Sequence, residues 1–86
     1  MNTMKVTITA VQQDRLNAIR LEMISAYFRE AFRAGYYRTK RSPDGMVTSL
    51  DMTELSNIEA QTVSKLIPQI WPGVTWDIKV TDHTRR

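Results

Sequence analysis

Few residues in this chain could carry out chemistry, and they are scattered. His83 is the sole histidine and cysteine is absent, so a histidine-activated nucleophile, a thiolate or a His/Cys metal cluster has no material. The carboxylates Asp14, Glu22, Glu30, Asp44, Asp51, Glu54, Glu59, Asp77 and Asp82 are dispersed, in positions that suit caps, turns and surface. Gly35, Gly45 and Gly73 stand singly and form no phosphate-cradling loop. The pattern argues for a protein that is not an enzyme and holds neither cofactor nor metal. What remains is a basic and aromatic stretch in which Arg29, Arg33, Arg38, Lys40 and Arg41 interleave with Tyr27, Phe28, Phe32, Tyr36 and Tyr37. Arginine neutralises phosphates, and an exposed tyrosine such as Tyr36 can stack on an unpaired base. The same residue types anchor protein–protein interfaces. A charged hairpin is also an ordinary way for an edge strand to avoid aggregation. Neither the aromatic motif of an RNA-recognition sheet nor a recognition-helix pattern occurs.

Trp71 and Trp76 bracket Pro72-Gly73 and form a second candidate. Trp76 falls on the apolar face of an alternating segment and is expected in the core. Trp71, beyond a proline, is expected to be partly exposed, where tryptophan serves as a binding anchor.

The elements that must position these residues follow from pattern. A chain of 86 residues makes one domain, 1–86, near the lower limit for an independent core. At 42% hydrophobic and 24% charged it has a globular balance, and a net charge of +3 permits nucleic-acid or acidic-protein partners without requiring either. The N-terminal residues show no signal-peptide run and no stretch is long enough to span a bilayer, so a cytoplasmic protein without membrane contact is expected.

Met4, Val6 and Ile8 alternate with Lys5, Thr7 and Thr9, predicting a half-buried strand. Thr9-Ala10-Val11-Gln12 reads as a capping box opening a helix that runs uninterrupted to Gly35, roughly 37 Å long. Leu16, Ile19, Met23, Tyr27 and Ala34, broadened by Ile24 and Ala31, form the expected core stripe of that helix. A second ridge of Leu21, Phe28 and Phe32 is rotated away, and Arg15, Glu22, Arg29 and Arg33 read as the solvated face. Two apolar ridges must both be buried, or one must meet a partner or a second copy. Tyr36–Arg41, the turn chemistry of Ser42-Pro43-Asp44-Gly45 and Met46–Ser49 predict a β-hairpin, with a basic loop as the rival. A second capping box at Asp51-Met52-Thr53-Glu54 opens a helix with Leu55, Ile58, Thr62, Val63, Leu66 and Ile70 on one face, stopping or kinking at Pro68. Val74, Trp76, Ile78 and Val80 predict a last strand, and residues 82–86 a frayed tail. Arg20 and Glu59 fall inside the apolar arcs of the two helices, so they either pair across the helix seam or snorkel to water.

The order β-α-β-β-α-β makes a small α+β two-layer sandwich. Two helices lie on one face of a mostly antiparallel sheet, with the ferredoxin-like split βαβ as its candidate form.

The segment Gln61-Thr62-Val63-Ser64-Lys65-Leu66-Ile67 followed by Trp71 and Trp76, together with the opening strand Met4–Ile8 and the element order, resembles the DinI-type family of DNA-damage-inducible and prophage proteins. The resemblance covers about half the chain. It implies a small regulator of the SOS type that binds a protein, as that family binds the RecA filament. The family's acidic ridge on the second helix is represented here only by Asp51, Glu54 and Glu59, with Lys65 among them.

The leading expectation is a regulatory module, such as an inhibitor or antirepressor, that binds a repressor or DNA-repair protein through Phe28, Phe32, Arg33 and Trp71. The alternatives are a nucleic-acid-binding hairpin using Tyr36, Arg38, Lys40 and Arg41, and a homodimer.

Overall fold

The computed structural model describes residues 3–32 and 36–83. Among them the elements run β1 (Met4–Ala10), α1 (Arg15–Ala31), β2 (Tyr36–Arg41), β3 (Val47–Leu55), α2 (Asn57–Ile70) and β4 (Trp76–Asp82). The strands form one antiparallel sheet in the order β2-β3-β1-β4. β1 and β2, joined through α1, both run antiparallel to the β3 strand lying between them. This is the split βαβ of a ferredoxin-like fold.

Alternation assigns the faces. Val6, Ile8 and Ala10 of β1 point under the helices and are buried, while Lys5, Thr7 and Thr9 face the open side. In β3 the apolar residues Val47, Leu50, Met52 and Leu55 do not keep a period of two, yet all are buried. Two register shifts reconcile this, one opposite Lys40/Arg41 and one opposite Met4/Val6. Each inserts one extra residue on β3, as a bulge does, and returns the next apolar side chain to the core. Glu54, at the second shift, adopts a left-handed φ of 62°. Onto this sheet α1 packs Leu21, Ile24 and Phe28, and α2 packs Ala60, Val63 and Ile67.

The hairpin forms as the turn residues predict. Gly45 has φ +88°, which its missing side chain permits. The Ser42 amide donates to the Met46 carbonyl and the Gly45 amide to the Ser42 carbonyl. Asp44 accepts from the Ser42 hydroxyl, and this bond first, then one from the Met46 amide, holds its carboxyl below the ordinary value.

Several expectations are corrected. Thr9 and Ala10 stay in β1 because Ala10 pairs with Trp76, so no capping box forms there. The cap is Asp14, whose Oδ1 accepts from the Asn17 amide at 2.8 Å. Buried Asn17 donates its Nδ2 to the Gln12 carbonyl, tying the loop to the first turn. α1 is thus about 26 Å long, not 37, and the expected closure at Gly35 lies outside the described residues. Likewise Asp51–Glu54 extends β3, and α2 opens instead on a capping box of Ser56 and Glu59. α2 continues through exposed Pro68 to Ile70. Its buried set is Ala60, Val63 and Ile67, leaving Ile58 and Ile70 exposed.

Of the two fates open to Arg20 and Glu59, pairing across the helix seam does not occur. Arg20 donates to Asn17 Oδ1 at 2.6 Å, and the Glu59 carboxylate caps the Ser56 amide. Asp82 pairs with Met4 in β4, and His83 exchanges hydrogen bonds with Thr3, so the tail is held at least this far. Residues 84–86 lie outside the described set.

Candidate functional site

The packing of α1 decides which of its two ridges meets the sheet: the ridge of Leu21 and Phe28 does, with Ile24, while most of the other stripe does not. Leu21 and Phe28 are buried, Phe28 at 1% exposure, together with Ile24, Asn17, Ala18 and Ser25. Of the stripe expected in the core, Ile24 is buried, whereas Leu16 at 55% exposure, Ile19 at 47%, Met23 at 56% and Tyr27 at 59% face water and Ala31 is exposed; Ala34 lies outside the described residues. Phe28 therefore is a core residue rather than a partner anchor. Phe32 is half-buried, with its ring stacked on Phe28 at 5.4 Å, so it belongs to the same inner ridge. Arg33, the third expected anchor, lies outside the described residues.

Of the four residues expected as anchors, Trp71 lies beside the exposed apolar surface. It is the half-buried C-cap of α2, tilted against Trp76 with ring centroids 5.9 Å apart. With Ile70 it forms one wall of a groove of about 250 Å³ between the helices. Met23 and Tyr27 form the other wall, and Ile24 and Phe28 lie between. The outer stripe of α1 and the end of α2 thus make one apolar surface.

The end of α1 is pinned to the sheet by Tyr37. Its hydroxyl is placed to donate to the carbonyls of Phe28 and Phe32, at 2.7 and 3.0 Å; the Phe28 carbonyl also accepts the Phe32 amide, so the hydroxyl adds a second bond there and meets the Phe32 carbonyl beyond the helix end. The Arg29 guanidinium lies 5.6 Å from the centre of the Tyr37 ring. Burial, then the Glu59 carboxylate, push the Tyr37 pKa above 10.0, with Arg29 opposing.

The opposite surface, the uncovered side of the sheet, collects the residues of the nucleic-acid alternative. Across the strands Arg38 aligns with Asp51, Thr7 and Lys79, and Lys40 with Ser49, Thr9 and Asp77. Exposed Tyr36 joins Lys5, Arg38, Asp51, Thr53 and His83 around a shallow depression of about 370 Å³. Lys5 Nζ lies 3.9 Å from Asp51 Oδ2. Lys5, Arg38, Lys40 and Lys79 outnumber Asp51 and Asp77 on this face. Arg41 does not share it. Its guanidinium turns to the helix side, bonding Glu22 Oε1 at 2.9 Å and the Gly45 carbonyl at 3.0 Å.

Sequence reasoning missed Met23, Tyr27 and Ile70 as surface residues. The available signal was the polar pair Asn17 and Ser25 inside the buried arc, which blurs the contrast between the helix faces. Among the described residues no helix is long and apolar enough to cross a membrane.

No protein-family model matches the chain, and no curated protein matches it. Among solved structures it is similar to the solution structure of a de novo designed protein with a ferredoxin fold. Identity is 17%, over 98% of this chain and 85% of that one, with a TM-score of 0.39. The strand order, not this likeness, carries the fold assignment.

Proposed function

We propose that the protein is a non-enzymatic regulatory module that binds another protein through the apolar surface made by the outer side of α1 and the end of α2. One observation carries the reading: Leu16, Ile19, Met23 and Tyr27 expose a continuous stripe beside the groove walled by Ile70 and Trp71. An apolar patch of this kind on a small domain marks an interaction site. The groove suits the side chains of a partner's amphipathic helix. Tyr27 and Trp71 are the residue types that dominate binding energy, and truncating either is expected to weaken binding by at least about 2 kcal/mol. The acidic ridge of the DinI-type family has no part in this, because Asp51 and Glu54 lie in β3 and Glu59 caps α2. Affinity capture from bacterial lysate after nuclease treatment tests the proposal. The wild-type chain should retain a protein that Met23→Glu and Tyr27→Glu lose. Equal retention by all three chains would remove this face from the account.

A second reading is favoured by the meeting of Tyr36, Arg38 and Lys40 with Lys5 and Lys79 on the uncovered sheet face. Such a face suits single-stranded nucleic acid, with the cations on phosphates and Tyr36 against a base. Oligonucleotide affinity should then fall with salt at a log–log slope of about 0.7 for each phosphate contacted, and Arg38→Ala should lower that slope. A flat salt response would exclude this reading.

A further inference from the structure

The exposed side of α1 has a spacing that the function above does not use. Leu16, Arg20, Met23, Tyr27 and Glu30 follow one another by steps of four, three, four and three, the seam of a heptad pattern. The seam runs along the flank of α1 beside the groove: Leu16, Met23, Tyr27 and Glu30 are exposed and Arg20 is half-buried. Its centre is apolar, and one charge of each sign flanks that centre.

We propose that a second copy of this chain occupies the face, with the two α1 helices packed antiparallel about a two-fold axis that passes midway between Met23 and Tyr27. This rests on the reading of α1 as a docking surface and names its occupant. In a two-fold interface, residue i meets residue j of the other copy and j meets i. With the axis so placed, Met23 of each copy meets Tyr27 of the other, a thioether against an aromatic ring. Arg20 of each copy then meets Glu30 of the other, giving two ion pairs by symmetry. A parallel arrangement would instead stack Arg20 on Arg20 and Glu30 on Glu30, which like-charge repulsion opposes. Charge complementarity therefore selects the antiparallel register. Asn17 Oδ1 already holds one Arg20 nitrogen at 2.6 Å, which steadies the guanidinium and leaves the rest of its fork for a carboxylate.

A single helix seam presents less than the roughly 800 Å² per partner of a standard interface, so the dimer is weak and dissociates on dilution. It also covers Met23 and Tyr27. A different protein docking on the same face must therefore displace the second copy, and self-association acts as a competitor of partner binding.

Sedimentation velocity of the full chain from micromolar to millimolar concentration tests this. The wild type should pass from monomer to dimer. Arg20→Glu and Glu30→Arg should each weaken the dimer by about tenfold, the equivalent of 1.4 kcal/mol. The double variant, with the charges exchanged, should recover wild-type association. Glu30 is exposed, so Glu30→Arg remains informative even if Arg20→Glu disturbs the Asn17 contact. A wild type that stays monomeric at millimolar concentration overturns the proposal, as does a double variant no stronger than the singles. A monomeric wild type whose partner capture is still lost in Met23→Glu would sink the second copy as occupant and leave the docking reading standing. Loss of neither association nor capture in Met23→Glu would sink both.

Discussion

The two broad surfaces this molecule turns to water are opposites. The uncovered face of the sheet carries Lys5, Arg38, Lys40, Lys79 and a set of threonines. An antiparallel sheet with one face on a core normally solvates the other in this way. The helix layer should be the more polar still, since a helix packed on a sheet buries one stripe and wets the rest. Instead its outer side shows Leu16, Ile19, Met23 and Tyr27. The fold accounts for the polar face and leaves the apolar one unexplained. That excess of exposed apolar surface is what directs the functional proposal to α1 and α2.

Within α1 the contrast sharpens to two ridges on one helix, and the largest expected effect separates them. Phe28→Ala should destabilise the fold by about 3–5 kcal/mol through lost transfer energy and a cavity. Leu16→Ser, equally apolar at the outset, should change stability by no more than about 0.5 kcal/mol. Urea denaturation of the two variants reads the difference, and similar losses would erase the distinction between ridges.

A smaller effect concerns the hydrogen bonds that tie the end of α1 to β2. Tyr37→Phe removes the hydroxyl placed between the Phe28 and Phe32 carbonyls and should cost about 1 kcal/mol. Because the folded-state pKa of Tyr37 is raised, its contribution is fully present below the ordinary tyrosine value and is lost as pH rises through that value toward the folded one. Alkaline unfolding of the wild type should accordingly include a step that Tyr37→Phe lacks.

The smallest effect lies at the hairpin turn, away from both ridges. The depressed pKa of Asp44 means a contribution present above the ordinary carboxylate range and lost as pH falls through the folded value. Asp44→Asn should flatten the acid limb of stability slightly and leave partner capture unchanged.

The architecture was legible in the sequence because its signals were local and unopposed. β1 and β4 alternate cleanly, and Ser42-Pro43-Asp44-Gly45 prescribes its own turn. The helix starts were not legible, because capping sequences competed. Thr9-x-x-Gln12 lost to Asp14 once Ala10 paired with Trp76. Asp51-x-x-Glu54 lost to Ser56-x-x-Glu59 once Met52 was buried in β3. Both outcomes depend on strand partners far along the chain, which no local window contains. The site inherited that limitation. With Asn17 and Ser25 in the buried arc and Leu16, Met23 and Tyr27 outside it, residue types alone do not choose between the ridges. Trp71 is partly exposed, as its place beyond Pro68 leads one to expect, although α2 runs through that proline and ends on Trp71 as its C-cap.

The central claim is that α1 turns its Leu16–Tyr27 ridge outward to bind. Its most direct test is Met23→Glu, examined by urea denaturation and by affinity capture on the same preparation. The account predicts a denaturation midpoint close to that of the wild type together with loss of the captured protein. A collapse of stability would place Met23 in the core and contradict the packing of α1. An unchanged midpoint with undiminished capture would leave the ridge exposed and contradict its role in binding.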